Sequence, residues 1–314
     1  MLLVTPVRQF TVVYNSISER PLISDATDPA DNYTEWSVGD TYVVGQEVRY
    51  TLDGESYPRT FRATQEHSGQ VPASKSAYWI DLGVNNRWRM FDGFNNSRSI
   101  STDNISGNIE IHVDLNMPAR MLYLFGLRNV SEVAVIQKVD GSEVGSHVAQ
   151  LSAYASPVGW WSWLYGERDY ISSCAIKLNG NYYSQRVEVF MSGGGTAQCA
   201  QLIFGNDYYI GYVHHGATPR LQSFSTFSPD TFGSYTYVKR KNTRVGSYSV
   251  TVETREFDRV YRLIETFESE LVILDANNSG TQFDSMMHYG KITDFAPSVS
   301  YEETNYDIKI ENIN

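Results

Sequence analysis

The sequence predicts a mainly β protein, and three observations lead there. Aromatic residues make up 13% of its 314 residues, 22 of them Tyr, while charged residues make up only 19%. That balance favours strands over solvated helices. Apolar and polar residues alternate in segments such as "GNIEIHVDL", Gly107 to Leu115, which is the period of a half-buried strand. Gly, Asn and Asp separate these runs at the spacing of tight turns.

The chain exceeds the ~250 residues at which a single core stops growing, so several domains are expected. Residues 1–34 hold one strand candidate, "QFTVVYN", followed by a segment crowded with Asp, Asn and Pro. They are expected to form an N-terminal arm and linker, with an arm strand free to extend a neighbour's sheet. Residues 35–84 alternate short strands with Gly turns, and Asp53-Gly54 within "VRYTLDGESYPRTFRAT" is a strong hairpin signal. A module this small depends on a few large aromatics for its core.

Residues 85–215 continue with "RMLYLFGLR", "EVAVIQKV" and "VEVFMSGGGTAQCAQLIFGNDYYIG", strands spaced as in a jelly-roll β-sandwich. One aromatic insertion, "AQLSAYASPVGWWSWLYGERDY", interrupts them. Residues 216–314 are expected to form a C-terminal α+β domain. Its helix, "FDRVYRLIETFES", places Phe257, Val260, Tyr261, Ile264 and Phe267 or Glu268 on one face. The strands "LVILDA", "MMHYGKITDF" and "YDIKIENI" follow.

Composition bounds the function. A formal net charge of −11 argues against a grip on nucleic-acid phosphates. No run of ~18 apolar residues occurs, so no membrane-spanning helix is expected. Arg8 and Gln9 interrupt the apolar opening, so a soluble protein without a secretory leader, made in a cytoplasm, is expected. Cys174 and Cys199 form neither a zinc pattern nor a disulfide framework, and both are expected reduced and buried.

The six histidines show no ligand spacing, and the adjacent His214 and His215 point to opposite faces if extended. Neither a metal nor a cofactor is expected. No G-x-S-x-G occurs, and "SGGGTA", Ser192 to Ala197, lacks the Lys-Ser/Thr of a phosphate loop and is expected to be a turn. Glycoside hydrolysis needs two carboxyl groups about 5 to 10 Å apart, and Glu66, Glu167 and Asp169 are the ones to inspect. Carboxylates alone do not make a site, so no catalytic residue is assigned.

The tryptophans are more informative. "GWWSW" gathers Trp160, Trp161 and Trp163 within four residues. Such a cluster either folds onto its own domain or meets a sugar or a neighbouring protein, and contact with a protein is expected.

Two resemblances sharpen this. The series Trp36, Tyr42, Gly45, Val48, Tyr50, Phe61-Arg62-Ala63, Pro72, Trp79 and Gly83 resembles carbohydrate-binding module family 5/12, over about a sixth of the chain. The resemblance implies that the first and last tryptophans, Trp36 and Trp79, and the Tyr after the first turn belong mainly to the aromatic core. Trp36, Tyr50 and Phe61 are expected as module core, and if the module binds sugar, Tyr42, Tyr57 and Trp79 are the candidates to stack on it. The chain departs from the family in having Phe61 where Tyr is usual and a hairpin enlarged by "LDGESYPR". The following "NNRWRMFDGF", Asn85 to Phe94, with the C-terminal "MMHYGKITDFAPSVSYEETNYDIKIENI", resembles tail proteins of tailed bacteriophages, and the middle strands are similar to galactose-binding-like jelly rolls.

These resemblances imply a non-enzymatic virion component of the tail tip, baseplate or tail-fibre attachment region. It would act by assembly with other tail proteins and be oligomeric in the virion. The alternative is a receptor-binding lectin for host-surface glycans; a glycoside hydrolase bearing an accessory module is a third reading.

Overall fold

The alternation in the sequence becomes two large antiparallel sheets and one small module in a computed structural model. It describes residues 1–20, 33–94, 97–103, 105–153, 160–161, 169–214, 217–229, 234–277 and 283–313. The protein is mainly β. Among the described residues no helix is long and apolar enough to cross a membrane.

The larger sheet has ten strands. Its order begins Cys174–Lys177, Met121–Phe125, Gln201–Tyr209, Leu2–Pro6 and Val272–Asp275. It continues through Met287–Ser298, Glu303–Asn312, Asn242–Glu253 and Tyr212–Val213, with Thr218–Ser223 also on Asn242–Glu253. The first strand of the chain therefore lies in the middle. Leu2–Pro6 pairs with Gln201–Tyr209 on one side and Val272–Asp275 on the other, and Leu3 and Val4 are fully buried. Hydrogen-bonded on both sides, this strand has no edge to offer a neighbour. The expected arm strand, Phe10–Asn15, is the edge of the second sheet and, among the described residues, pairs with Ile109–Leu115 alone.

That second sheet runs Ser142–Gln150, Glu132–Val139, Gln185–Ser192, Ile109–Leu115, Phe10–Asn15. It packs on the Met121–Phe125 end of the larger sheet to make a sandwich. Ile109, Ile111, Val113 and Leu115 face inward at every second position and meet Leu122, Leu124, Leu202 and Phe204 in one apolar cluster. Met121–Phe125 is buried on both faces: Met121, Tyr123 and Phe125 turn away from the sandwich and pack with Ile273, Met287 and Tyr289. A strand buried twice needs the continuous apolar run "MLYLF" rather than alternation.

The helix Thr254–Phe267 covers the other half of the large sheet. Val260 and Ile264 are buried there, with Phe257, Leu263 and Phe267 packed against the same cluster. Tyr261, expected on the buried face, is exposed at its rim, and Phe267 rather than Glu268 continues the apolar stripe.

The small module is a four-stranded sheet, Thr34–Glu35, Glu47–Tyr50, Arg59–Ala63, Trp79–Val84. A 3-10 helix, Asn86–Phe91, follows at once and ties it to the sandwich. The Asn86 side-chain amide donates to the carbonyls of Ser18 (3.2 Å) and Ile100 (2.9 Å), and Arg87 Nε donates to that of Ile17 (2.8 Å). Met90 is fully buried in the sandwich core.

Candidate functional site

The module's rings sort into core and surface. Tyr42, Val48, Phe61, Ala63 and Trp79 form its core, with Trp36 and Tyr50 packed against it. Tyr42 and Trp79 meet edge to face with centroids 5.2 Å apart, and Trp36 meets Tyr50 at 5.5 Å. Tyr42 and Trp79 are 1% and 2% exposed, which corrects their assignment as sugar contacts. The polar ends of both rings are engaged as well. The Tyr42 hydroxyl accepts from the Ser37 amide at 2.6 Å and donates to the Ser37 carbonyl at 2.9 Å. Trp79 Nε1 donates to the Gln70 carbonyl at 2.8 Å. In so small a sheet the large rings are the core itself, and neither Tyr42 nor Trp79 keeps a ring face for a ligand.

Tyr57 is placed differently. The enlarged hairpin carries it away from the module core to stack on Trp88 (5.4 Å, planes 21° apart) and to lie 6.2 Å from Phe91. There it lines a cleft of about 700 Å³ with Glu55, Arg59, Leu82, Arg89, Asp92, Phe94 and Ser97. A second hollow of about 290 Å³ lies against Tyr57, Asp92, Phe10, Gln201 and Tyr289. Burial, with the Asp92 carboxylate adding to it, pushes the Tyr57 phenol up to about 12, so it stays a neutral donor.

The cleft's charged groups are held in place. Arg59 Nε donates to both oxygens of Asp81 at 3.1 Å, and its Nη1 donates to Glu55 at 3.3 Å. Asp92 accepts from the Phe94 amide (2.8 Å), Ser97 Oγ (2.7 Å) and Gln201 Nε2 (2.9 Å). Burial nevertheless holds Asp92 above its usual carboxylate range, and burial lowers the Arg89 guanidinium, whose Nε donates to the Val84 carbonyl at 3.0 Å. Aromatic and apolar walls with fixed polar groups of both signs suit a polar ring ligand such as a sugar.

The remaining sequence candidates lie elsewhere. Glu66 is exposed and outside the cleft lining. Glu167, Trp163 and His215, and the side chain of Asp169, fall outside the described residues. Trp160 and Trp161 stack at 4.5 Å and are 64% and 60% exposed. Cys174 and Cys199 are free and buried; burial pushes the Cys174 thiol up to about 12 and Cys199 higher still. Among the described residues, no group of three His, Cys, Asp or Glu could hold a metal.

One feature escaped sequence reasoning. Thr218–Ser223, Thr226–Pro229 and Tyr235–Val238 have every side chain exposed. The latter two pair as a two-stranded ribbon at the edge of the large sheet. Phe227 and Tyr235, 64% and 63% exposed, stack on it at 4.6 Å, with Tyr237 and Leu221 also in water. The signal was present as "FSTFSP" and "SYTYVKRK", two stretches in which aromatics are interspersed with Ser or Thr.

No protein-family model, curated protein or solved structure matches this chain.

Proposed function

We propose that this protein is a non-catalytic structural component of a bacteriophage tail, in the tail tip, baseplate or tail-fibre attachment region, and works by assembly with other tail proteins. The observation that supports this most is the exposed ribbon. A two-stranded ribbon alone is marginal in water, and full burial of one aromatic or aliphatic side chain contributes about 1.5–3 kcal/mol. Phe227, Tyr235, Tyr237 and Leu221 together therefore favour a covering partner. The stacked Trp160 and Trp161 add a second aromatic surface of the kind found at interface centres. Resemblance at Asn85 to Phe94 supplies the tail context.

Cross-linking mass spectrometry of purified virions tests this reading. Links from several parts of the chain to tail proteins are the expected result. A chain with no virion neighbours would end it.

The Tyr57 cleft favours a second reading, a lectin for host-surface glycans, because it alone among the module's sugar candidates offers an accessible aromatic beside fixed hydrogen-bonding groups. Glycan-array binding that disappears in Tyr57→Ala supports it. Binding that survives this substitution removes the cleft from consideration.

A further inference from the structure

We infer that the ribbon of one copy docks head to tail into an acidic, aromatic-floored groove on a second copy of this chain. The inference rests on the assembling role proposed above. The groove lies between the helix Thr254–Phe267 and the strand Met287–Ser298 and has a volume of about 470 Å³. Tyr261, Ile264, Phe295 and Pro297 provide its apolar lining, with the rings of Tyr261 and Phe295 5.9 Å apart.

Its rim is negative. Glu265 and Glu268 are exposed, and neither has a hydrogen-bond or ion-pair partner among the described residues. Asp294 beside them is already held by Lys309 at 2.6 Å. The two free carboxylates also sit at the unfavourable end of the helix. Its last turn contains no basic residue, so the carbonyl end of the helix dipole, about half a negative charge, adds to theirs. Such a rim disfavours the free chain slightly and favours arrival of a cationic segment.

The ribbon has the complementary pattern. Phe227, Tyr235 and Tyr237 on the ribbon, with Leu221 on the adjoining strand Thr218–Ser223, match the apolar lining, and Lys239 and Arg240 stand exposed where the ribbon returns to the sheet. Between residues 218 and 241 the sequence carries four Lys or Arg against a single Asp, in a chain of net charge −11. The ribbon's described strands are exposed at every position, so they do not fill the groove of their own chain. Ribbon and groove are different patches, so the contact is heterologous: copies related by it close into a ring or continue as a filament.

The test uses the full chain, unlabelled and heavy-isotope-labelled copies mixed, joined with a carbodiimide that couples Lys to carboxylates. The expected products link Lys239 to Glu265 or Glu268 between labelled and unlabelled copies. Sedimentation should show salt-sensitive self-association. Lys239→Glu with Arg240→Glu, or Glu265→Lys with Glu268→Lys, should weaken it by about tenfold or more, and combining all four should restore it. All four positions are exposed, so circular dichroism should not change. A chain that stays monomeric, reversals without effect, or a combination that fails to restore association would each overturn self-docking. In virions, ribbon links only to other tail proteins would overturn it while leaving the assembling role intact, whereas absence of any virion neighbour would remove that role itself.

Discussion

Tyr123 donates a 2.9 Å hydrogen bond to Asp275 across 152 residues of sequence, in the interior of the ten-stranded sheet. Two strands, Gln201–Tyr209 and Leu2–Pro6, lie between theirs in the sheet order. Asp275 also accepts from the Asn277 backbone amide at 3.0 Å and its side-chain amide at 2.9 Å. Burial first, and the neighbouring Asp275 second, hold the Tyr123 phenol far above its usual range, so it remains a donor. Tyr123→Phe leaves a buried carboxylate oxygen short of a proton. We expect a loss of about 1–3 kcal/mol, seen as a lower urea midpoint at unchanged slope.

Trp79 closes the module core against Tyr42 and, at 4.7 Å, His67. Trp79→Ala should cost about 3–5 kcal/mol and open residues 35–84 to limited proteolysis. Trp160→Ser, in an exposed stack, should change stability by no more than about 0.5 kcal/mol. Equal sensitivity of the two positions would contradict their placement.

Stability should depend on pH through His288. Its ring is fully buried, Nδ1 bonds Asn312 Oδ1 at 2.9 Å, and Nε2 has no partner among the described residues. Burial lowers its pKa below the ordinary 6.5. As pH falls below 6.5 the unfolded chain takes up a proton that the folded chain refuses, so stability declines until the folded ring also titrates. Asp92 has the opposite sign: its raised pKa favours the folded form in acid, and that contribution is lost as pH rises through the window above 3.8. His288→Gln should flatten the decline below 6.5, measured by denaturant titrations across the range.

Cys174 and Cys199 should resist thiol reagents in the native protein, because the reactive form is the thiolate and burial raises both thiols well above neutrality. Both should be labelled at the rate of global unfolding. Fast labelling under native conditions would show that the sandwich core opens locally.

Much of the fold was legible because its signals are local. Ile109–Leu115 alternates inward and outward as its letters do, and Val260, Ile264 and Phe267 follow the helical period. Trp36, Tyr50 and Phe61 cluster as the resemblance to a small carbohydrate-binding module implies. The candidate site was legible only in part. Tyr57 was named from sequence, but its neighbours Trp88 and Asp92 arrive from beyond the module, and their approach creates the cleft.

By itself, then, the sequence determined the mainly β class, the hairpin at Asp53-Gly54, the amphipathic helix and the aromatic character of the module core. Periodicity and turn chemistry act within a few residues, and those features need nothing more. Only the tertiary structure decided that Leu2–Pro6 joins two halves of one sheet, since its partners lie about 200 and 270 positions away in sequence. It also decided that Tyr42 and Trp79 are core while Tyr57, Phe227 and Tyr235 remain available. Whether a ring is buried depends on which distant strand closes over it, and a local pattern carries no information about that closure.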